Sequence, residues 1–253
     1  VEKNRNSAIK YKGANMQIKV LFDSQALRKE FLTGWGVSFL IKDTLFDTGE
    51  KPQPLLKNME YMGVAVSGIR NVVISHDHWD HIGGLWEILK KNPAIRVYAC
   101  PGFSQGFKNK VKSLGNELIE SVRVFKVSED IYVTGEIPGE YEGEFMPEQA
   151  LVAKTSKGLV IVTGCAHPGI IDILQVVKRQ FPDERIHMVL GGFHLMDQDE
   201  RLIEVIAKEF KKMGVEKVGP THCTGKEAEN IFRKEYKNDF LSIKVGMVID
   251  LHS

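Results

Sequence analysis

The chain has 253 residues, with 34 Lys and Arg against 33 Asp and Glu and a formal net charge of +1. That balance argues against a nonspecific nucleic-acid binder, which carries a strong basic excess. Hydrophobic residues make up 43% and charged residues 26%, as in an ordinary soluble globular chain, and no apolar run is long enough to span a membrane.

Residues 1–15 are polar and lack the apolar core of a signal peptide. The expectation is a flexible N-terminal arm over 1–15, one domain over 16–253, and a cytoplasmic location. Three cysteines, an odd number, argue against a secreted disulfide framework. Cys100 ends a strand-like run and reads as buried filler.

In chain order, Met16 to Phe22 alternates as a strand, and Val37–Ile41 with Thr44–Phe46 reads as a hairpin. Pro54–Met62 reads as a short helix and Ile69–Ile74 as an apolar strand. Ile82–Lys91 reads as a helix closed by Asn92-Pro93. Ile95–Ala99, Val122–Val127 and Ile131–Thr134 read as strands, with an amphipathic helix over Phe103–Leu114. Gly135–Pro147 is polar and glycine-rich and reads as a loop, either a lid or a solvated connection. Ala150–Lys154 and Leu159–Thr163 form a predicted hairpin.

The second half alternates helices (Ile170–Gln180, Arg201–Met213, Glu227–Tyr236) with strands (Ile186–Leu190, Val215–Val218, Ser242–Ile249). The whole pattern predicts an α/β chain of two packed sheets with helices on the outer faces.

Ser75-His76-Asp77-His78-Trp79-Asp80-His81 packs three histidines and two aspartates into seven residues. Imidazole and carboxylate are the usual ligands of Zn, Mn and Fe. His76 and His78, two apart in extended backbone, point to one side and suit one metal. Asp80 and His81 lie on a first helical turn and suit a second. Asp77 points away and is free to orient a ligand or the backbone. Trp79 is either a packing residue or a lip for a ring substrate, with packing preferred.

With its preceding strand and following glycines, this run resembles the metal-binding motif of the metallo-β-lactamase superfamily. Gly36–Ile41 and Leu45-Phe46-Asp47-Thr48-Gly49 resemble the family's early strand pair and turn. Thr163–Gly169, Gly191-Gly192-Phe193-His194-Leu195 and Thr221-His222-Cys223-Thr224-Gly225 are similar to blocks of one subgroup, named for a dihydropterin-ribofuranosylaminobenzene-phosphate synthase. The resemblance implies a four-layer αββα sandwich and two divalent metal ions, Zn first, with Mn or Fe as alternatives.

On that frame, His167 would complete a site with His76 and His78, and His222 would join Asp80 and His81. Cys165 stands where the family generally places a bridging aspartate. It is counted among the candidate ligands, with a supporting or merely buried role left open. Asp47 is expected to support a ligating imidazole. Asp80 and His194 are the candidate catalytic residues, His194 as a donor to a substrate oxyanion or general acid, with a metal-ligand or structural role left open. Thr224 and Glu227 have the spacing of a capping box. The helix starts near Pro168 and Lys226 favour an anionic group such as phosphate.

The function so implied is metal-dependent hydrolysis, with a dinuclear centre and metal-bound hydroxide acting on a small phosphoester. The alternatives are a phosphoribosyl-transferring synthase of pterin-type cofactor assembly and a metal-stabilised binding or regulatory protein. The expected partner is a small phosphate-bearing molecule, with no nucleic acid and no membrane. A homodimer is allowed.

Overall fold

The computed structural model describes residues 16–251, so the arm expected over 1–15 lies outside the described residues. The first sheet opens with three antiparallel strands, β1 (Gln17–Phe22), β2 (Ser38–Ile41) and β3 (Thr44–Phe46). It continues in parallel through β4 (Asn71–Val73), β5 (Arg96–Ala99) and β6 (Glu117–Glu120). The second sheet starts from β7 (Phe125–Ser128) and β8 (Ile131–Val133). A small hairpin of β9 (Glu140–Tyr141) and β10 (Glu144–Phe145) stands apart. β11 (Leu151–Thr155) pairs antiparallel with β8 and with β12 (Gly158–Thr163). β13 (Ile186–Gly192) and β14 (Lys217–Thr221) then extend β12 in parallel. The last strand, β15 (Val248–Asp250), returns to pair with β1.

Helices cover both outer faces. Against the first sheet lie α1 (Pro52–Tyr61), α2 (Trp79–Ile82), α3 (Leu85–Lys91) and α4 (Gln105–Ser113). Against the second lie α5 (Ile170–Gln180), α6 (Glu200–Lys212) and α7 (Lys226–Tyr236). No helix among the described residues is long and apolar enough to cross a membrane.

The layers follow from side-chain periodicity. Gly158-Leu-Val-Ile-Val-Thr163 is buried throughout, the continuous apolar run of a strand covered on both faces. Val160 and Val162 face Phe39, Phe46 and Val73 between the sheets, while Leu159 and Ile161 face the helices. On α6, Ile203, Ala207 and Phe210 form one buried stripe, and Asp199 caps the helix by accepting the Leu202 N–H. Truncating Phe210 to alanine would open a cavity there and cost about 3–5 kcal/mol. The architecture is therefore the expected αββα sandwich.

Local readings shifted where tertiary pairing outweighed local pattern. The helix expected over Ile82–Lys91 is split at Gly83-Gly84. Glu117–Glu120 forms an edge strand that its flanking glutamates concealed, and the strand expected over Val122–Val127 begins at Phe125. The strand expected over Ser242–Ile249 is confined to Val248–Asp250, because a turn closes from Met247 N–H to Lys244 O just before it.

The site is positioned by strand ends. β4 in the first sheet and β12, β13 and β14 in the second all release their loops at one edge, the usual ligand edge of parallel strands. Gln149 ties the layers there: its side-chain amide donates to Ile74 O and Tyr98 O at 2.8 and 3.1 Å.

Candidate metal centre

Asp47 follows β3 with a left-handed backbone (φ 53°), which turns its carboxylate under the loop after β4. Oδ1 accepts the Ser75 N–H and Oδ2 the Ser75 hydroxyl, both at 2.7 Å. Oδ2 is also 2.7 Å from His81 Nδ1. His76 Nδ1 lies 2.9 Å from Ser75 Oγ. One buried carboxylate thus orients two imidazoles, His81 directly and His76 through Ser75, and turns both Nε2 atoms to the centre.

Glu148 performs the matching task in the second sheet. Its Oε1 accepts the N–H groups of Gly164, Cys165 and Ala166 at 3.1, 3.0 and 2.9 Å, and its Oε2 that of His167 at 3.0 Å. Burial raises the Glu148 carboxyl, and the amides pull it back toward the ionised form. His222 is held by the Gly36 N–H, which donates to Nδ1 at 3.2 Å, and by the Trp35 ring at 4.6 Å. Gly36 is required by close approach: a Cβ there would lie 1.9 Å from Asp80 O. His222 Nε2 faces Asp80 Oδ2 at 3.2 Å.

The donors gather in four overlapping groups, each with its ligand atoms within 4.8 Å of one another. His76, His78 and His167 make one, and Asp80, His81 and His222 another. These are the two triads expected from sequence. Cys165 joins His76 and His81 in a third group and lies 3.3 Å from His81 Nε2, between the two triads. Cys165, His194 and Cys223 make the fourth.

The electrostatics suit a cation. Burial, helped by neighbouring imidazoles, holds His76 well below its ordinary value and lowers His167 to about 3. Burial also lowers His78. These rings are neutral near pH 7, with lone pairs available. Burial works against a charged His81 as well, but Asp47 and Asp80 outweigh it and push it up to about 10. Burial opposes ionisation of Asp80, yet His222 and His81 hold it well below the usual carboxylate range.

A metal is tested by its unmet needs. His76 Nε2, both ring nitrogens of His167 and His194 Nδ1 are buried with no hydrogen-bond partner. Each such atom costs about 1–3 kcal/mol unless something pairs with it. A metal ion does so, and imidazole, carboxylate and thiol donors fit zinc.

Other expectations are corrected. Trp79 is 61% exposed, so the packing role expected of it is not taken. Thr224 does not cap α7: Gly225 stands at the N-cap without a side-chain bond, and Thr224 Oγ1 accepts the Phe193 N–H at 3.0 Å. Asp77 turns outward and accepts the Ser104 N–H at 2.9 Å, anchoring the start of α4. Cys100 is buried, as expected.

Sequence reading missed Glu148, Cys223 and Tyr141. An acidic residue just before the apolar run 150–153 was the available sign for Glu148. Tyr141, on the small hairpin, brings its ring to 4.9 Å from His78, 5.0 Å from His167 and 5.8 Å from His194. Two cavities flank the centre. One of about 300 Å³ is lined by His167, His194, Ile170, Phe193 and Leu202. The other, about 460 Å³, is lined by Trp35, His222, Lys226, Glu229 and Arg233.

The family model of the metallo-beta-lactamase superfamily matches residues 37–169. The chain is 31% identical to 7,8-dihydropterin-6-methyl-4-(beta-D-ribofuranosyl)-aminobenzene-5'-phosphate synthase of Methanocaldococcus jannaschii, over 93% of this chain and 96% of that protein. It is 30% identical to an uncharacterised protein, MJ0448, of the same organism, over 92% of this chain and 100% of the other. Among solved structures it is similar to Tm1679, described as a metal-dependent hydrolase of the beta-lactamase superfamily. That match has a TM-score of 0.81 and 32% identity, over 94% of this chain and 100% of that one.

Proposed function

We propose that this chain, which belongs to the metallo-beta-lactamase superfamily, is a metal-dependent hydrolase of a small phosphoester. The observation that carries the reading is the convergence of two buried donor triads, His76/His78/His167 and Asp80/His81/His222, at one strand edge. These six residues would hold a pair of divalent ions, zinc by preference, with Cys165 as a further donor beside His76 and His81. When bound, such ions acidify a water molecule and offset negative charge building on a phosphoryl group.

The chain's own residues do the rest. Asp47 and Glu148 hold the donors in place before any substrate arrives. Asp80, kept ionised by its two histidines, orients the attacking water. His194, on the wall of the 300 Å³ cavity and 4.6 Å from the His167 ring, hands a proton to the leaving group. Lys226 and Arg233, in the cavity beside His222, offer positive charge to a phosphate at the start of α7. Tyr141 borders the donors beside His78, His167 and His194. The near-zero net charge favours a small substrate over a nucleic acid. Three unpaired cysteines suit a reducing, cytoplasmic setting.

A second reading is supported by the synthase relative, matched nearly end to end: phosphoribosyl transfer in pterin-type cofactor assembly. A panel of phosphomonoesters, phosphodiesters, cyclic nucleotides, thioesters and lactones, tested with Zn, Mn and Fe protein, separates these possibilities. Turnover of a phosphoester supports hydrolysis. Turnover confined to thioesters or lactones rejects the phosphate reading. Silence across the panel, with phosphoribosyl transfer to an arylamine acceptor, favours the synthase.

A further inference from the structure

We propose that Cys165, His194 and Cys223 form a sulfur-rich cation site beside the two triads, adjoining them through Cys165, that takes a soft or borderline divalent ion of the zinc and cadmium class. The proposal adjoins the site of the hydrolase reading, but its test reads ion binding and not turnover, so failure of one is distinguishable from failure of the other.

The construction is regular. β12, β13 and β14 are adjacent and parallel, and they end at Thr163, Gly192 and Thr221. Each places one soft or borderline donor two residues past its end: Cys165, His194 and Cys223. Parallel register brings the three ends level, since Thr163 faces Gly191 and Gly192 faces Thr221. The donor atoms consequently lie within 4.8 Å of one another.

The surrounding backbone is shaped to that end. Ala166, His194 and His222 adopt left-handed backbone with φ of 68°, 52° and 54°, a conformation costly for residues other than glycine. Gly192 lets the strands close up: a Cβ there would lie 2.6 Å from Cys223 Sγ and 2.3 Å from Gly164 O. Both cysteines are buried, at 4% and 8% exposure, and His194 Nδ1 is buried without a hydrogen-bond partner. Cys223 Sγ lies 3.6 Å from Cys165 O and within hydrogen-bonding reach of the Cys165 and His194 side chains.

Charge favours a divalent ion here. A neutral imidazole triad leaves a buried ion's two charges uncompensated, whereas two thiolates cancel them. Filling the site forms two metal–sulfur bonds and one metal–nitrogen bond and releases two thiol protons to solvent. Three protein donors leave the fourth tetrahedral position open. Ligation through one ring nitrogen leaves the other nitrogen of His194 for proton transfer. Thiolate donors also select against Mg and Mn.

The test is cadmium titration of the reduced, chelator-stripped full chain, followed by the ultraviolet thiolate-to-cadmium absorption. The proposal expects the band in the native protein, with about half its intensity and one fewer bound cadmium in Cys223→Ser. Cys100→Ser should match the native protein. His194→Gln should retain the band at saturation but weaken cadmium binding by roughly tenfold or more. Zinc-edge X-ray absorption on the native protein needs no variant, and should show sulfur from two cysteines at about 2.3 Å. An unchanged band and stoichiometry in Cys223→Ser, a zinc shell without sulfur, or a Cys165–Cys223 disulfide that excludes cadmium would each overturn the proposal.

Discussion

Asp47 Oδ2 lies 2.7 Å from His81 Nδ1, and that contact decides which nitrogen of His81 faces the donor cluster. The proton stays on Nδ1, so Nε2 is directed toward Asp80 and Cys165. The same carboxylate reaches His76 through Ser75. Asp47→Asn should therefore weaken metal binding about 10–100-fold without unfolding the chain. Competition against a chelator of known affinity measures this, and unchanged affinity would show that Asp47 merely closes a turn.

The contact also sets a pH dependence for the metal-free protein. His81 is raised to about 10 from an ordinary 6.5. The stability it contributes is full below pH 6.5 and is lost as pH rises through about 10. His167, lowered to about 3, acts in the opposite sense: its contribution is present above pH 6.5 and is lost as pH falls toward 3. Melting temperature should thus fall toward both ends, and Asp47→Asn should flatten the alkaline limb. Metal affinity should rise with pH, since an ion must displace the His81 proton.

Glu148 accepts four backbone N–H groups from residues 164–167. Glu148→Ala leaves these amides without their acceptor, at about 1–3 kcal/mol for each one that stays buried. We expect strong destabilisation, and a smaller loss in Glu148→Gln, whose amide nitrogen cannot accept one of these bonds. Urea unfolding of the two variants gives the comparison. Native-like stability in Glu148→Ala would mean that water replaces the carboxylate.

His76 belongs to two donor groups, whereas its neighbour Asp77 is bonded to Ser104. His76→Ala should lower bound metal by at least one equivalent and remove most activity. Asp77→Ala should keep the full metal content. Elemental analysis of both proteins decides; equal metal content in the two would refute the assignment of His76.

Lys226 lines the cavity beside His222. If a substrate phosphate sits there, Lys226→Ala should raise KM roughly tenfold, the equivalent of about 1.4 kcal/mol, with kcat little changed. A fall in kcat at constant KM would place the lysine's effect in the transition state.

The layered fold and the first metal loop were readable because both are local signals. Burial periodicity marks the strands and helices, and Ser75–His81 concentrates its donors within seven residues. His167 and His222 were also accessible, since each follows an apolar run at a strand-to-helix junction. Trp79 and Thr224 misled because their local patterns suit a packed and a capping role that neither residue takes. Only the surrounding layers choose: Trp79 is left largely exposed, and Thr224 is claimed by the Phe193 amide.

The chain's residue pattern, then, was sufficient for the layers, the two triads and the supporting aspartate. Tertiary structure alone decided that Glu148 gathers four amides, that Tyr141 reaches three histidines, and that Cys223 meets Cys165 across 58 residues. Periodicity and turn chemistry act over a few residues, so they report each element but not its neighbours. Which loops meet at an edge is set by strand order and by the packing of two sheets, and those contacts exist only once the chain has closed.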